Sequence, residues 1–151
     1  MAKDVKIILK SKQYELLAAE AGQEDCEPGE TYVETLGIMY RDKDTFVIQY
    51  EESELTGMEG SVTHLCFPVD DPENITMLRD GEVKTNLVFS PGGRYISAYE
   101  TFAGTFELSV VTEMVQNTVG YGGGDIEIAY TLEIRGVATE RTFLSVSVKP
   151  V

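Results

Sequence analysis

The chain has 151 residues, the size of one domain whose core is large enough to need no disulfide or metal. Its 26 acidic and 12 basic residues give a formal net charge of −14, and the resulting field repels phosphate backbones and anionic lipids. We therefore expect neither nucleic acid nor a membrane as a partner. The only apolar run near the start is Ile7, Ile8, Leu9, too short for a signal peptide, and no later run approaches the roughly 18 residues of a membrane span. These features predict one cytoplasmic domain over residues 1–151.

Two cysteines and one histidine limit the metal and redox chemistry of the chain. Cys26 lies in an acidic segment and Cys66 in a predicted strand, without the spacing of a zinc site or a disulfide framework. His64 and Cys66 share one side of that strand, but they leave a metal two ligands short. The acidic cluster at 70–73 lacks the spacing of a calcium loop, so a plain turn is favoured there. We expect free thiols, no metal and no cofactor.

The N-terminal segment predicts a first strand, because Val5, Ile7 and Leu9 alternate with mostly basic residues. The residues from Tyr14 to Ala21 favour a short helix. The segment that follows, up to Glu30, is acidic and rich in turn-forming residues, which predicts a mobile loop or a lid.

Segments 31–41 and 44–55 predict a hairpin that turns at Asp42 and Lys43. That turn brings two sets of side chains onto one face of the sheet: Val33, Thr35, Gly37 and Met39 from the first strand, and Phe46, Ile48, Tyr50 and Glu52 from the second. The other face, which carries Leu36, Ile38 and Tyr40, is also partly apolar. We therefore expect this part of the sheet to be covered on both sides.

Loop lengths decide which side chains share a face in the next two hairpins, since a slip of one residue turns a whole strand over. A three-residue loop at 79–81 places Ile75 and Met77 on the same face as Leu87 and Phe89. Arg79 then belongs to a turn and not to a pocket. A three-residue loop at 102–104 likewise places the first strand's Ile96, Ala98 and Glu100 with the second strand's Phe106, Leu108 and Val110. That register makes Glu100 a carboxylate on an apolar face.

The segment 105–136 predicts two long strands joined by a glycine-rich reversal at 120–124. Clustered glycines can cradle phosphate, but a phosphate loop needs a helix after it and here a strand follows, so a hairpin turn is favoured. With a last strand at 139–149, the chain holds ten candidate strands joined by short loops. They predict an all-β, antiparallel up-and-down barrel of about 8 to 10 strands, with at most one short helix near the N-terminus. The interior of such a barrel is either filled or holds one small ligand.

Three segments resemble the YwiB-like family of uncharacterised bacterial proteins: YEESELTGMEGSVTHL, ITMLRDGEVKTNLVFSPGGRYISAYETFAGTFEL and GGGDIEIAYTLEIRG. The similarity extends from Val5 to Val148, and it implies a lipocalin-like (calycin) barrel without an established activity. Relatives typically read Tyr-x-Thr-Pro-Tyr-Gly where this chain has Phe102 and Ala103 before the glycine. That proline suits the first position of a three-residue loop, in agreement with the register chosen for this hairpin.

Two non-enzymatic functions fit the predicted barrel. The first is a module that binds a small, largely apolar ligand, with a few polar groups fixing its orientation. The candidate ligand-binding residues are Thr35, Tyr50, Glu52 and Glu100. In the simpler alternative, Glu52 and Glu100 lie near strand ends and reach water. The second function is an interaction or regulatory module that engages a basic protein partner through its acidic face or the loop from Tyr14 to Glu30.

An enzyme is the least favoured function, because the chain has no serine, cysteine or histidine nucleophile signature. Glu52 and Glu100 could act as an acid–base pair only if they face each other across the barrel at about 5 to 10 Å. The oligomeric state and the identity of any ligand stay open.

Overall fold

The computed structural model describes residues 2–16, 29–52, 60–81, 85–101 and 104–151, and within these ranges it leaves out the side chains of 85 and 99–101. The described chain is built of ten strands, the number predicted from the sequence. In the described part, no helix has the length and apolar character that crossing a bilayer requires. The strands are β1 (Lys3–Glu15), β2 (Gly29–Asp42), β3 (Thr45–Glu51), β4 (Val62–Pro68), β5 (Ile75–Asp80), β6 (Thr85–Phe89), β7 (Arg94–Thr101), β8 (Gly104–Asn117), β9 (Gly124–Ile134) and β10 (Val137–Pro150).

All ten strands belong to one antiparallel sheet in the order β6-β5-β4-β3-β2-β1-β10-β9-β8-β7. Strands that are consecutive in the chain are neighbours in the sheet, and β1 pairs with β10. The two edges, β6 and β7, are joined by the turn at 90–93 and come within 8 Å of each other between Cα atoms, without ladder pairing. The sheet is therefore a nearly closed up-and-down barrel, which confirms the predicted fold class.

The two ends of this barrel differ in what they carry. We call the upper end the one where β1 connects to β2, β3 to β4, β5 to β6, β7 to β8, and β9 to β10. The lower end carries the other connections and both chain termini, where Val5 pairs with Pro150. The glycine-rich reversal between β8 and β9 lies at the lower end as a hairpin turn, with Gly123 and Gly124 at positive φ. That turn was predicted from the sequence.

Alternate residues of the strands fill the lower half of the interior. Side chains that touch no solvent border no water-sized void, so this half is packed and dry. Each such side chain contributes about 1.5–3 kcal/mol to the free energy of unfolding through its burial. The large residues with less than 2 % exposure are Val5, Ile7, Met39, Ile48, Leu65, Ile75, Phe89, Val110, Ile126, Ile128, Val146 and Val148.

Two of the three predicted hairpin faces are confirmed. In the β2–β3 hairpin Gly37 pairs with Tyr50, so the predicted set of residues shares the inner face, although the turn falls one residue later than predicted. In the β5–β6 hairpin Ile75 pairs with Phe89, and Met77 with Leu87. The side chains of Ile75 and Leu87 both face the core.

The position predicted for Arg79 is wrong. Arg79 lies in β5, which continues to Asp80, and it pairs with Thr85. Five residues therefore separate this last pair of the hairpin, where a loop of three residues was predicted. Three and five differ by an even number, which is why the faces were right while the turn was wrong. Arg79 consequently continues the inward series of Ile75 and Met77.

The face predicted for β7 is also wrong, because Thr101 pairs with Gly104 and the loop has two residues. This odd difference turns the strand over. Ile96 pairs with Ser109 and is 57 % exposed, so its face is the outer one. The strand position of Glu100, opposite Thr105, belongs to that same outer face. The Glu100 side chain lies outside the described part.

Two further expectations near β1 and β2 need correction. Leu36 is 70 % exposed, so the outer face of β2 is open at this position, whereas Val47, which pairs with Tyr40 on the same outer face, is buried as expected. Strand β1 extends through Tyr14 to Glu15, where the short helix was predicted to begin. Beyond Leu16, the segment predicted as a helix and most of the acidic loop, with Cys26, lie outside the described residues.

Candidate functional site

A polar cluster lies on the inner face of the sheet toward the upper end, where β3, β4 and β5 run side by side. Tyr50 lies near the end of β3, and Glu52, one residue beyond the strand, is two positions further along the chain. Thr63 pairs with Tyr50 across to β4, and Arg79 pairs with Thr63 across to β5. The amide of Glu52 donates to the Ser61 carbonyl at 2.8 Å, which fixes the backbone of Glu52 beside β4. We call Tyr50, Glu52, Thr63 and Arg79 the upper polar cluster.

A single carboxylate oxygen holds the upper polar cluster together. The Thr63 hydroxyl donates to Oε1 of Glu52 at 2.5 Å, and Nε of Arg79 donates to the same oxygen at 3.4 Å. The Glu52 side chain is 1 % exposed and that of Arg79 is 22 % exposed. A buried carboxylate requires such partners, because an unpaired charge away from water is costly. The alternative that Glu52 reaches water is therefore wrong.

The Tyr50 hydroxyl is a second polar feature of the cluster. Burial, reinforced by the negative charge of Glu52, raises the pKa of Tyr50 above its usual value. Like any phenol, Tyr50 is protonated at neutral pH and can donate a hydrogen bond. The ion pair, in turn, leaves the cluster without net charge. Its chemistry is that of hydrogen bonding to a neutral or weakly polar group.

A row of polar residues crosses the inner face of β8, β9 and β10 on the other side of the barrel. Tyr130 pairs with Thr112 on one side and with Thr142 on the other, and its ring lies 4.7 Å from that of Phe89. Thr142 donates to Oε1 of Glu140 at 3.1 Å. Burial raises the pKa of Tyr130. The Thr112 hydroxyl is buried and has no hydrogen-bond partner among the described residues.

The structure brings together two of the four candidate residues, Tyr50 and Glu52. Thr35 lies on the inner side of β2 opposite Ile7 and is half-buried, just beyond the last β2–β3 pair. Glu100 is separated from them by its outward strand position, so the register gives no support to an acid–base pair across the lumen.

Sequence reasoning missed Thr63 and Arg79 as site residues. The signal for Arg79 was present, because the inward alternation of Ile75 and Met77 continues to it without a break. For Thr63, the alternation with Leu65 indicated the inner face of the strand. Nothing in the sequence distinguished Thr63 from the other inward residues as a site residue. In the described part of the chain, no group of three or more histidine, cysteine or acidic residues is arranged to hold a metal ion.

Comparisons with known proteins agree with this architecture. The chain is similar to the structure described as the crystal structure of ywiB protein from Bacillus subtilis, with a TM-score of 0.80 and 19 % sequence identity over 99 % of this chain and 93 % of that chain. At this identity the likeness shows the fold alone. No curated protein matches the chain with significant similarity. The family described as a domain of unknown function (DUF1934) matches residues 18–146, most of the chain, so this protein belongs to that family.

Proposed function

We propose that the barrel is a non-enzymatic module that binds a small, largely apolar ligand at its upper end. The observation that carries the proposal is the Arg79–Glu52 ion pair, in which the Arg79 side chain is 22 % exposed, at the upper end of a largely apolar interior. Binding sites for small molecules combine apolar walls with a few placed polar groups, and the upper end of the barrel combines the upper polar cluster with the partly buried Leu132 and Leu144. The lipocalin-like resemblance points to the same function by analogy of fold.

Packing decides how deep a ligand can lie. The lower half of the interior is dry and filled, so a ligand there would have to displace well-packed side chains. Toward the upper end, Leu132 and Leu144 are only partly buried and Thr35 is half-buried. We therefore place the ligand at the mouth of the barrel, with its apolar part against these side chains and its polar group toward Tyr50 and Arg79.

The first experiment is native mass spectrometry of the purified full-length chain, followed by solvent extraction, to detect a ligand that co-purifies. The second is a titration with 1-decanol, followed through the amide NMR signals. Thr35→Phe fills the mouth and should abolish both kinds of binding. Leu36→Phe is the matched control, since it adds the same ring one residue away on the outer face.

The proposal fails if no apolar ligand co-purifies and decanol does not perturb the amides of Tyr50, Thr63 or Arg79. It also fails if Thr35→Phe and Leu36→Phe bind alike.

The other predicted function, binding of a basic protein partner, stays a prediction, because most of the acidic loop it invokes lies outside the described residues. A cytoplasmic location is likewise part of the proposal, inferred from the charge and the short apolar runs of the chain.

A further inference from the structure

A groove of about 620 Å³ crosses the outer face of the barrel, away from the upper polar cluster. Its floor is the backbone of one hydrogen-bonded row that runs through Thr31, Ser11, Leu144 and Ile128. The groove spans five strands, from β2 through β1, β10 and β9 to β8. Four strand spacings give it a length of roughly 19 Å. Its volume falls in the range of sites for small molecules, about 300 to 1,000 Å³.

Two rows of outward side chains form the walls of the groove. Each row follows the strand register, and the two rows are two residues apart on every strand, so the groove lies between them. Together they place aromatic and thioether side chains beside charged ones. The first wall consists of Tyr32, Lys10, Ser145 and Glu127, and the second of Glu30, Lys12, Phe143 and Met114.

The charges of the groove are unevenly placed along its length. Lys10 and Lys12 face each other from opposite walls on β1, roughly 7 Å apart between Cα atoms. Lys10 lies over the Tyr32 ring at 5.8 Å, and in the described part of the chain no carboxylate comes within 4 Å of its ammonium group. Lys12 reaches Glu30 at 3.9 Å, a pair in which both side chains are well exposed and which therefore contributes little.

The apolar part of the groove lies on the β10–β8 side. Phe143 and Met114 stand there in one wall, above a floor formed by the backbone of Leu144 and Ile128, whose side chains face the interior. Glu127 stands in the opposite wall on β9, so an anion is disfavoured at this end. The groove thus has a cationic part at β1 and an apolar part that excludes negative charge.

From this arrangement we propose that the outer groove binds an elongated apolar or aromatic monocarboxylate. The carboxylate lies at β1 between the ammonium groups of Lys10 and Lys12, which supply charge-assisted hydrogen bonds from both walls. The apolar body extends across β10 toward Met114 and packs against Phe143. The chain as a whole carries −14, so selectivity for an anion has to come from these two local cations.

The test uses 4-phenylbutyrate as the probe and 4-phenyl-1-butanol as its uncharged counterpart, each titrated into the full-length chain and followed by amide NMR. We expect phenylbutyrate to shift the amides of Lys10, Lys12 and Phe143, and to bind at least tenfold more tightly than the alcohol. The double variant Lys10→Gln/Lys12→Gln should weaken phenylbutyrate binding at least tenfold and leave the alcohol unchanged. Phe143→Ser should weaken both probes.

The matched control is Lys6→Gln, which removes a lysine from the same strand and the same outer face, outside the groove. It should leave phenylbutyrate binding unchanged. The proposal is overturned if Lys6→Gln weakens binding as much as the double variant, or if the acid and the alcohol bind equally. It is also overturned if neither probe binds, or if the shifts centre on interior residues such as Tyr50 and Arg79.

Discussion

The guanidinium Nε of Arg79 donates to Oε1 of Glu52 at 3.4 Å inside the barrel, between strands that are not neighbours in the sheet. Thr63, on the strand between them, completes the contact through the same oxygen. The pair is thus a short polar bridge along the inner wall. It gives the upper end of the interior a polar group, whereas the lower half has large apolar side chains without solvent contact.

Arg79→Met should lower the free energy of unfolding by about 3 kcal/mol, because it leaves the Glu52 carboxylate buried without its cation. Glu52→Gln should cost less, since Arg79 is partly accessible and can reach water. Urea unfolding followed by circular dichroism measures both variants. Arg41→Met, which removes an exposed pair with Asp44, is the control and should cost less than about 1 kcal/mol. Equal costs for Arg79→Met and Arg41→Met would contradict the buried pair.

Gly37→Ala should destabilise the barrel by about 1 to 3 kcal/mol through overpacking. A Cβ at Gly37 would overlap the Gln49 carbonyl oxygen and approach Ile7 Cδ1 to 2.7 Å. Gly29→Ala, in the same strand, has its nearest neighbour at 3.8 Å and should be nearly neutral. Thermal unfolding compares the two variants. A stability of Gly37→Ala equal to that of Gly29→Ala would rule out the close approach of β2 and β3 at this point.

Stability should fall above about pH 10 with a contribution from Tyr50. Burial raises the pKa of Tyr50 in the folded chain, so the unfolded chain releases the phenolic proton first, near its ordinary value of about 10. The stabilisation is complete below that pH and is lost as the pH rises, by up to about 1.4 kcal/mol per pH unit for each such tyrosine. Urea unfolding at pH 9, 10 and 11 should therefore show a shallower decline for Tyr50→Phe than for the native chain. Tyr121→Phe, at an exposed position, should keep the native slope.

The thiol of Cys66 should react slowly with DTNB at pH 8 in the folded protein. Cys66 is half-buried, and burial raises the pKa of its thiol, which lowers the thiolate fraction. The measurement uses Cys26→Ser, so that Cys66 is the only thiol, with free cysteine as the reference. We expect a rate about tenfold or more below that of free cysteine, restored by urea. A native rate equal to that of free cysteine would show that the thiol is accessible and ionises normally.

The buried face of a strand could be predicted from the sequence wherever the predicted loop length was right. The prediction also held where the predicted and observed loop lengths differed by an even number of residues. The β5–β6 loop was predicted with three residues where five separate Arg79 from Thr85, and its inner residues were still identified. The β7–β8 loop was predicted with three residues and has two, and Glu100 moved to the outer face as a result. Because side chains alternate between the two faces of a strand, an even error in loop length leaves the predicted face unchanged, and an odd error inverts it.

The residues of the upper polar cluster could also be predicted only in part from the sequence. Tyr50 and Glu52 were identified because their own strand alternates, and this is a local property. Their partner Arg79 is 27 residues from Glu52 in the chain, and it reaches Glu52 only because β3, β4 and β5 align in register. The outer groove likewise depends on five strands whose registers line up two walls of side chains.

By itself, the sequence determined ten strands, an antiparallel meander and an apolar inner wall, because alternation and turn chemistry act over a few residues. Only the tertiary structure decided that Arg79 joins Glu52, that Glu100 takes an outward position, and that Lys10 and Lys12 face each other across a groove. These outcomes depend on the register between strands. The packing of the whole barrel sets that register, so it cannot be predicted from the sequence of any single segment.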